Sequence, residues 1–328
     1  MDGESERGLI HAYLLNGKGG ADELSYEEAM LWNKDRGILW LHFDLSEKQT
    51  LEWLLHDSKL DPLLVETILD EEEPRPRCTQ IGDGLLIVLR AVNHNPGADP
   101  DDMLVMRIWA EAGRVITFSN AKLLAVRYIQ RKIISGIGPV DTVTMIEEIG
   151  ECILDRVSET VADIEDFLDE VEDKLIAEQE DEDMMGEISE IRRQLSTIKR
   201  YLSPQRDAME SIPRQLVTWM NKNSRYQLKE TAHRLTRILE DIENLRERAL
   251  INIDELNSAM NQDAQRNMYM ISVLAAFFLP LTFITGLLGI NVGGIPFENH
   301  DHGFLIICII VAVLSAILIT LFKKIKWI

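Results

Sequence analysis

Gly289-Ile290-Asn291 closes an uncharged apolar stretch and opens a short loop that carries Glu298, His300, Asp301 and His302 but neither lysine nor arginine. The chemistry these residue types allow is cation handling. An asparagine amide oxygen accepts hydrogen bonds without bearing a charge, so it suits the water shell of a cation, and glycine lets the backbone turn or approach a neighbour closely. Carboxylates and imidazoles in the loop would concentrate cations, and imidazole is a good zinc ligand. A second candidate is Asp141–Glu190, with 20 Asp or Glu against two basic residues, Arg156 and Lys174. Within it Glu165, Asp166, Asp169, Glu170, Glu172 and Asp173 could hold divalent cations between copies as a regulatory sensor. Each feature also has a plainer reading. Gly and Asn terminate helices, the loop serves as a solvated turn, and the carboxylates make a solvated helix face.

The elements that must position the triplet are two charge-free spans, Met268–Ile290 and Phe304–Phe322. At 1.5 Å per residue they make roughly 28–35 Å of helix, enough to cross a hydrocarbon core of about 30 Å. Arg266 precedes the first span, Lys323, Lys324 and Lys326 follow the second, and the loop has no basic residue. The positive-inside bias therefore puts both chain ends in the cytoplasm and the loop outside, with Tyr269 and Trp327 at one interface. The opening MDGESERGLI lacks a basic flank followed by an apolar core, so no cleavable signal is expected.

The remainder divides in two. Residues 1–138 read as an α/β domain, with strands at 9–15, 38–45, 84–92, 103–111 and 114–120. Helices are expected at 24–33, 47–58, 62–73 and 121–134, the first two capped by Asp22 and Ser46. From Asp141, a plausible N-cap, apolar residues recur every three or four positions to Leu175 on one long helix. The stripe lapses around Glu178–Met185, a second helix covers about 187–221 with kinks at Pro204 and Pro213, and a third begins near Asn223. If that third helix continues into the first span it is a stalk of about 100 Å. Its positions Leu228, Leu235, Ile238, Ile242, Leu245, Ala249 and Ile253 support helix–helix packing. The organisation is thus α+β with a membrane portion: 1–138 cytoplasmic α/β domain, 139–267 acidic hairpin and stalk, 268–328 transmembrane hairpin.

Several function classes are excluded. No phosphate-binding loop, nucleophile elbow, HExxH or dinucleotide fingerprint occurs, so no enzyme is indicated and no cofactor is expected. The net charge of -21 leaves no basic patch for nucleic acid. Cys78, Cys152 and Cys308 are scattered, which fits neither a disulfide framework nor a cysteine zinc site. Two spans cannot enclose a pore alone, so a conduction path would need several copies of the chain.

Gly289-Ile290-Asn291 at the end of the first of two C-terminal spans, with the basic tail ending Lys326-Trp327-Ile328, resembles the CorA superfamily of divalent-cation transporters. Tyr269, Pro280, Thr285-Gly286, Val292-Gly293-Gly294-Ile295-Pro296 and Arg200-Tyr201-Leu202-Ser203-Pro204-Gln205-Arg206-Asp207 resemble its ZntB zinc-transport branch more closely. Ile290 stands where the magnesium branch carries Met. The resemblance implies a homopentameric funnel in the inner (plasma) membrane, Zn2+ as the transported ion, and a Gly-Ile-Asn ring that selects a hydrated cation. With no phosphate-binding loop, transport would be driven by the ion gradient, the membrane potential or a coupled proton. It implies that Thr282, Leu279, Ile271, Met268, Gln265 and Asp254 line the path, the three apolar residues as dewetting constrictions. Lipid or helix contacts are the plainer role of each. Two other readings stay open, a magnesium, cobalt or nickel channel and a membrane-anchored cation sensor or scaffold.

Overall fold

A computed structural model describes residues 7–70, 74–99, 101–177, 183–290, 295–296, 301–325 and 327. Seven strands form one mixed sheet: β1 (Leu9–Leu15), β2 (Ala21–Glu23), β3 (Ile38–Asp44), β4 (Arg77–Ile81), β5 (Gly84–Ala91), β6 (Leu104–Glu111) and β7 (Arg114–Ser119). Their order is β2-β1-β3-β7-β6-β5-β4. Only β3 and β7 pair in parallel, and every other neighbour is antiparallel. β5 is buried along its whole length, which explains why its sequence reads as a continuous apolar run and not an alternating one.

One sheet face carries α1 (Tyr26–Met30), α2 (Lys48–His56) and α3 (Pro62–Leu69). Their Tyr26, Trp53, Leu54, Leu64 and Ile68 pack with Leu41, Phe43 and Phe118 in one apolar cluster. Phe43 stacks on Trp53 at 4.2 Å and on Phe118 at 5.9 Å, so aromatic contacts tie α2 to the centre of the sheet. α4 (Leu124–Ile134), α5 (Thr142–Ile176) and α6 (Met184–Ser211) follow, then α7 (Lys222–Leu288) and α8 (Gly303–Lys324).

The expected elements are present with four adjustments. β2 and β4 are additional, being a three-residue edge and a half-buried strand without alternation. The α1 cap is Ser25, in a reciprocal box with Glu28, and not Asp22; Glu47 precedes α2 and makes no side-chain cap, while Ser46 bonds Asp44. α3 ends at Leu69. α6 runs through Pro204 but stops at Ser211, where Pro213 sits in a short 3-10 turn, so the helix expected to reach residue 221 is cut short. Asp141 does cap α5, accepting from Thr144 N at 2.7 Å.

The chain divides into two compact units, Met1–Ile253 and Asp254–Ile328. Within the first, Arg234 of α7 pairs with Glu151 and Asp155 of α5 at 2.6 and 2.7 Å. Arg248 pairs with Asp169 and Glu172 at 2.5 and 2.9 Å, and Lys199 of α6 pairs with Glu243. The order of the α5 pairs makes α7 parallel to α5, and Arg246 Nε, which donates to Ser196 Oγ at 3.2 Å, gives with Lys199–Glu243 the antiparallel direction to α6. Leu228, Leu235, Ile238, Ile242, Leu245 and Ala249 are buried in this packing and Ile253 is half-buried. The stripe read as a helix-packing surface is therefore consumed within a single chain.

Candidate functional site

The second unit contains the C-terminal part of α7 and α8, both long and apolar enough to cross a membrane. Burial divides the surface of each helix. On α7, Val273, Ala276, Phe277, Pro280, Leu281, Ile284 and Leu288 are half-buried. On α8, Gly303 and Phe322 are buried and Ile307, Val311, Leu314 and Leu318 are half-buried, a spacing of three or four throughout. These are seam stripes of a helical hairpin. Its far ends are joined by the Tyr269 hydroxyl, which donates to the Trp327 carbonyl at 2.9 Å. The two aromatics expected at one interface thus sit at the same end of the hairpin. Trp327 also packs on Phe322, ring centroids 5.5 Å apart.

Asp254, Gln265, Met268, Ile271, Leu279 and Thr282 are all exposed on the single chain, Met268, Ile271 and Leu279 by 70, 66 and 68%. At 100° per residue the six fall in an arc of about 120°, centred some 150° from the seam. They share one face, and it is the face that α8 leaves uncovered. Gly286 belongs to it as well: a Cβ there would meet open space. Sequence reasoning used Gly286 only for the resemblance, although its helical offset from Leu279 already assigns it to this face. The Thr285 hydroxyl turns back onto the helix, donating to the Leu281 and Thr282 carbonyls at 3.0 and 3.2 Å.

α7 stops at Leu288, and Gly289 N donates to the Gly286 carbonyl at 3.1 Å, the tightened bond of a closing helical turn. A Cβ on Gly289 would lie 3.2 Å from the Thr285 carbonyl oxygen, so the close backbone approach favours glycine. Ile290 is half exposed. Asn291, Glu298 and His300 lie outside the described residues. Asp301 is exposed, and the His302 carbonyl accepts the first helical bond of α8, from Ile306 N at 3.1 Å.

On the acidic helix, Glu165, Asp166, Asp169, Glu170 and Asp173 are exposed and Glu172 is half-buried. Asp169 and Glu172 are already neutralised by Arg248, an ion pair between distant segments that no spacing rule could announce. The neighbouring carboxylates raise the Arg248 pKa, the hydrogen bond it donates to Glu172 contributing most. Among the described residues of one chain, no three His, Cys, Asp or Glu side chains converge to hold a metal ion. The histidines in the sheet are structural: His42 is buried beside Trp40 and Thr117, and burial lowers its pKa to about 3, with His11 adding to the effect.

Comparison with known proteins agrees with this architecture. The sequence profile of the family described as "CorA-like Mg2+ transporter protein" matches residues 35–324. The "Divalent cation transporter CmaX" of Pseudomonas aeruginosa is 34% identical over 324 residues, covering 98% of this chain and 97% of the relative. The "Zinc transport protein ZntB" of Pectobacterium carotovorum is 34% identical over 320 residues, covering 98 and 96%. The solved structure of full-length CmaX superposes with a TM-score of 0.85 at 34% identity, covering 100% of both chains.

Proposed function

Since the chain belongs to the family of CorA-like Mg2+ transporter proteins, which are transporters and not enzymes, we propose that it moves divalent cations across a membrane, zinc foremost. The path is lined by the exposed face of α7 from several copies of the chain, five in our reading, set in the inner membrane with both termini cytoplasmic. The observation that carries this reading is the segregation of Asp254, Gln265, Met268, Ile271, Leu279 and Thr282 on the α7 face that α8 does not cover. A lone hairpin gives that face no partner. Around a symmetry axis it becomes a wall of apolar rings (Met268, Ile271, Leu279) with one hydroxyl ring (Thr282), suited to passing an ion that keeps its water. Gly289-Ile290-Asn291 forms the outer mouth, where amide oxygens accept hydrogen bonds from the hydrated ion. Glu298, His300, Asp301 and His302 gather cations ahead of it. Zinc is favoured over magnesium because Ile290 departs from the Met of the magnesium branch and a zinc transport protein is similar over 98% of this chain.

Reconstitution in liposomes loaded with a zinc-responsive dye tests the proposal. Zinc influx that Asn291→Ala abolishes or makes unselective is expected; absence of flux under every zinc and proton gradient would sink the transport reading. Collapsing the pH gradient distinguishes proton coupling from passive flow. Magnesium is the second reading, favoured by the family's description, and competition between the two ions in the same assay decides between them.

A further inference from the structure

Three arginines share one face of the sheet at its β4–β6 end. Register sets Arg77 opposite Val88 and Val88 opposite Arg107, and Arg90 stands two residues along β5 from Val88. By the twofold alternation of strands, all three side chains leave the sheet on the side of Leu86 and Trp109, which is the side covered by α1, α2 and α3. A cavity of about 360 Å³ opens there, with Asp70, Arg90, Arg107 and Asn120 as polar lining and Leu51, Ile68 and Val105 among the apolar wall.

Arg107 is 5% exposed. Its Nη2 donates to the Asp70 carbonyl at 3.2 Å, while Nε and Nη1 have no hydrogen-bond partner among the described residues. Burial pushes its pKa down, the positive charges of Arg77 and Arg90 push it further, and Asp70 opposes them. Most buried ionisable groups escape such a setting by giving up their charge. A guanidinium does not deprotonate in proteins, so relief must come from an anion. Arg90, by contrast, is held in place, Nη1 donating to the Met103 carbonyl at 2.8 Å and the guanidinium lying over the Tyr201 ring at 4.6 Å. One arginine is thus anchored beside another that keeps two guanidinium nitrogens without a hydrogen-bond partner among the described residues.

We propose that this cavity binds the oxyanion group of a small anionic metabolite, phosphate or carboxylate, with Arg107 as its principal ligand and the apolar wall taking the rest of the molecule. The volume is at the lower end of the roughly 300–1,000 Å³ of small-molecule sites, and mostly apolar walls with a few polar groups are their usual make-up. Charge-assisted hydrogen bonds to an oxyanion satisfy Nε and Nη1 of Arg107 and offset the cost of burying its charge. The inference is independent of which cation the chain transports.

The test uses the full chain in detergent, with inorganic phosphate and succinate titrated separately to 10 mM against chloride at matched ionic strength. A saturable rise of the thermal midpoint with one of them is expected, and which one responds tells phosphate from carboxylate. Arg107→Gln should abolish the rise and Arg107→Lys should weaken the apparent affinity at least tenfold. Leu51→Trp, which narrows the cavity and leaves every arginine intact, should also abolish it and decides the matter if Arg107→Gln does not fold. No rise with either anion beyond that of chloride overturns the proposal, as does an unchanged rise in the folded variants.

Discussion

The Tyr269 hydroxyl donates to the main-chain carbonyl of Trp327 at 2.9 Å, joining the start of one apolar span to the residues after the other. Hairpin closure at that end therefore depends on one side chain and on the tail after α8. Beside this bond Trp327 leans on Phe322, a large side chain buried near the end of α8. Tyr269→Phe removes the bond and keeps the ring. Because the site is half exposed, a loss of about 0.5 kcal/mol is expected, seen as a small drop in the thermal midpoint in detergent with zinc flux retained. A lost flux would mean that the tie also holds the pathway helix in place.

The division of α7 into a seam and a free face predicts a reactivity pattern. In a background with Cys78, Cys152 and Cys308 replaced, cysteine at Leu279 or Thr282 should react with a small hydrophilic thiol reagent in the assembled transporter, and divalent cations should slow it. Cysteine at Ile284 or Val273, on the half-buried side, should react at least tenfold more slowly. Equal rates at all four positions would contradict a water-accessible face, and mass spectrometry of the labelled protein reads the result.

Arg248 balances Asp169 and Glu172 within a stretch otherwise crowded with carboxylates. Arg248→Ala should destabilise the protein by about 1 kcal/mol, a modest figure because the carboxylates are solvent-accessible and screened. The loss should shrink between 50 and 500 mM NaCl, since salt screens both the pair and the repulsion left behind. Thermal unfolding of both proteins at the two salt concentrations checks it. A gap unchanged by salt would point to lost packing of the arginine stem and not to charge.

His42 predicts a pH dependence. Its Nδ1 lies 3.0 Å from the Thr117 hydroxyl, whose own proton is committed to the Leu41 carbonyl, so Nδ1 carries a proton and donates. Burial, with a smaller contribution from His11, lowers its pKa from 6.5 to about 3. A histidine whose folded pKa is depressed keeps its full stability above the unfolded value near 6.5 and loses it as pH falls toward 3. By pH 5 the loss should reach about 2 kcal/mol, and His42→Gln should show a shallower decline between pH 6.5 and 5. Burial lowers the pKa of His11 as well, so a residual slope of the same sign should remain in the variant. Denaturant unfolding at fixed pH values measures both curves.

Gln205 is fully buried, and its Oε1 accepts the backbone N–H of Arg90 at 2.6 Å, so α6 is bonded to the interior of the sheet. Gln205→Leu fills similar space but orphans that N–H, and a loss of about 1–3 kcal/mol is expected in denaturant unfolding. A neutral outcome would mean that water replaces the amide oxygen.

The two spans, the break at Gly289, the cap at Asp141 and the strands around β5 were readable from the sequence by itself, because each rests on a local cause. Length, helical or strand period and a capping side chain act within a few residues. The resemblance carried by Gly289-Ile290-Asn291 then fixed the family. What the sequence could not convey depends on pairs far apart in the chain. The match of Arg248 with Asp169 and Glu172 turns part of an apparent cation sensor into an ion-paired helix face. Packing of the α7 stripe inside its own chain removes Leu228, Leu235, Ile238, Ile242, Leu245 and Ala249 from any shared wall, and the uncovered face of α7 is defined only once α8 has taken the opposite one. The arginine cluster is of the same kind. Arg77, Arg90 and Arg107 are isolated basic residues in an acidic chain until antiparallel register brings them to one face of the sheet, and register is set by hydrogen bonds between strands that no single strand specifies.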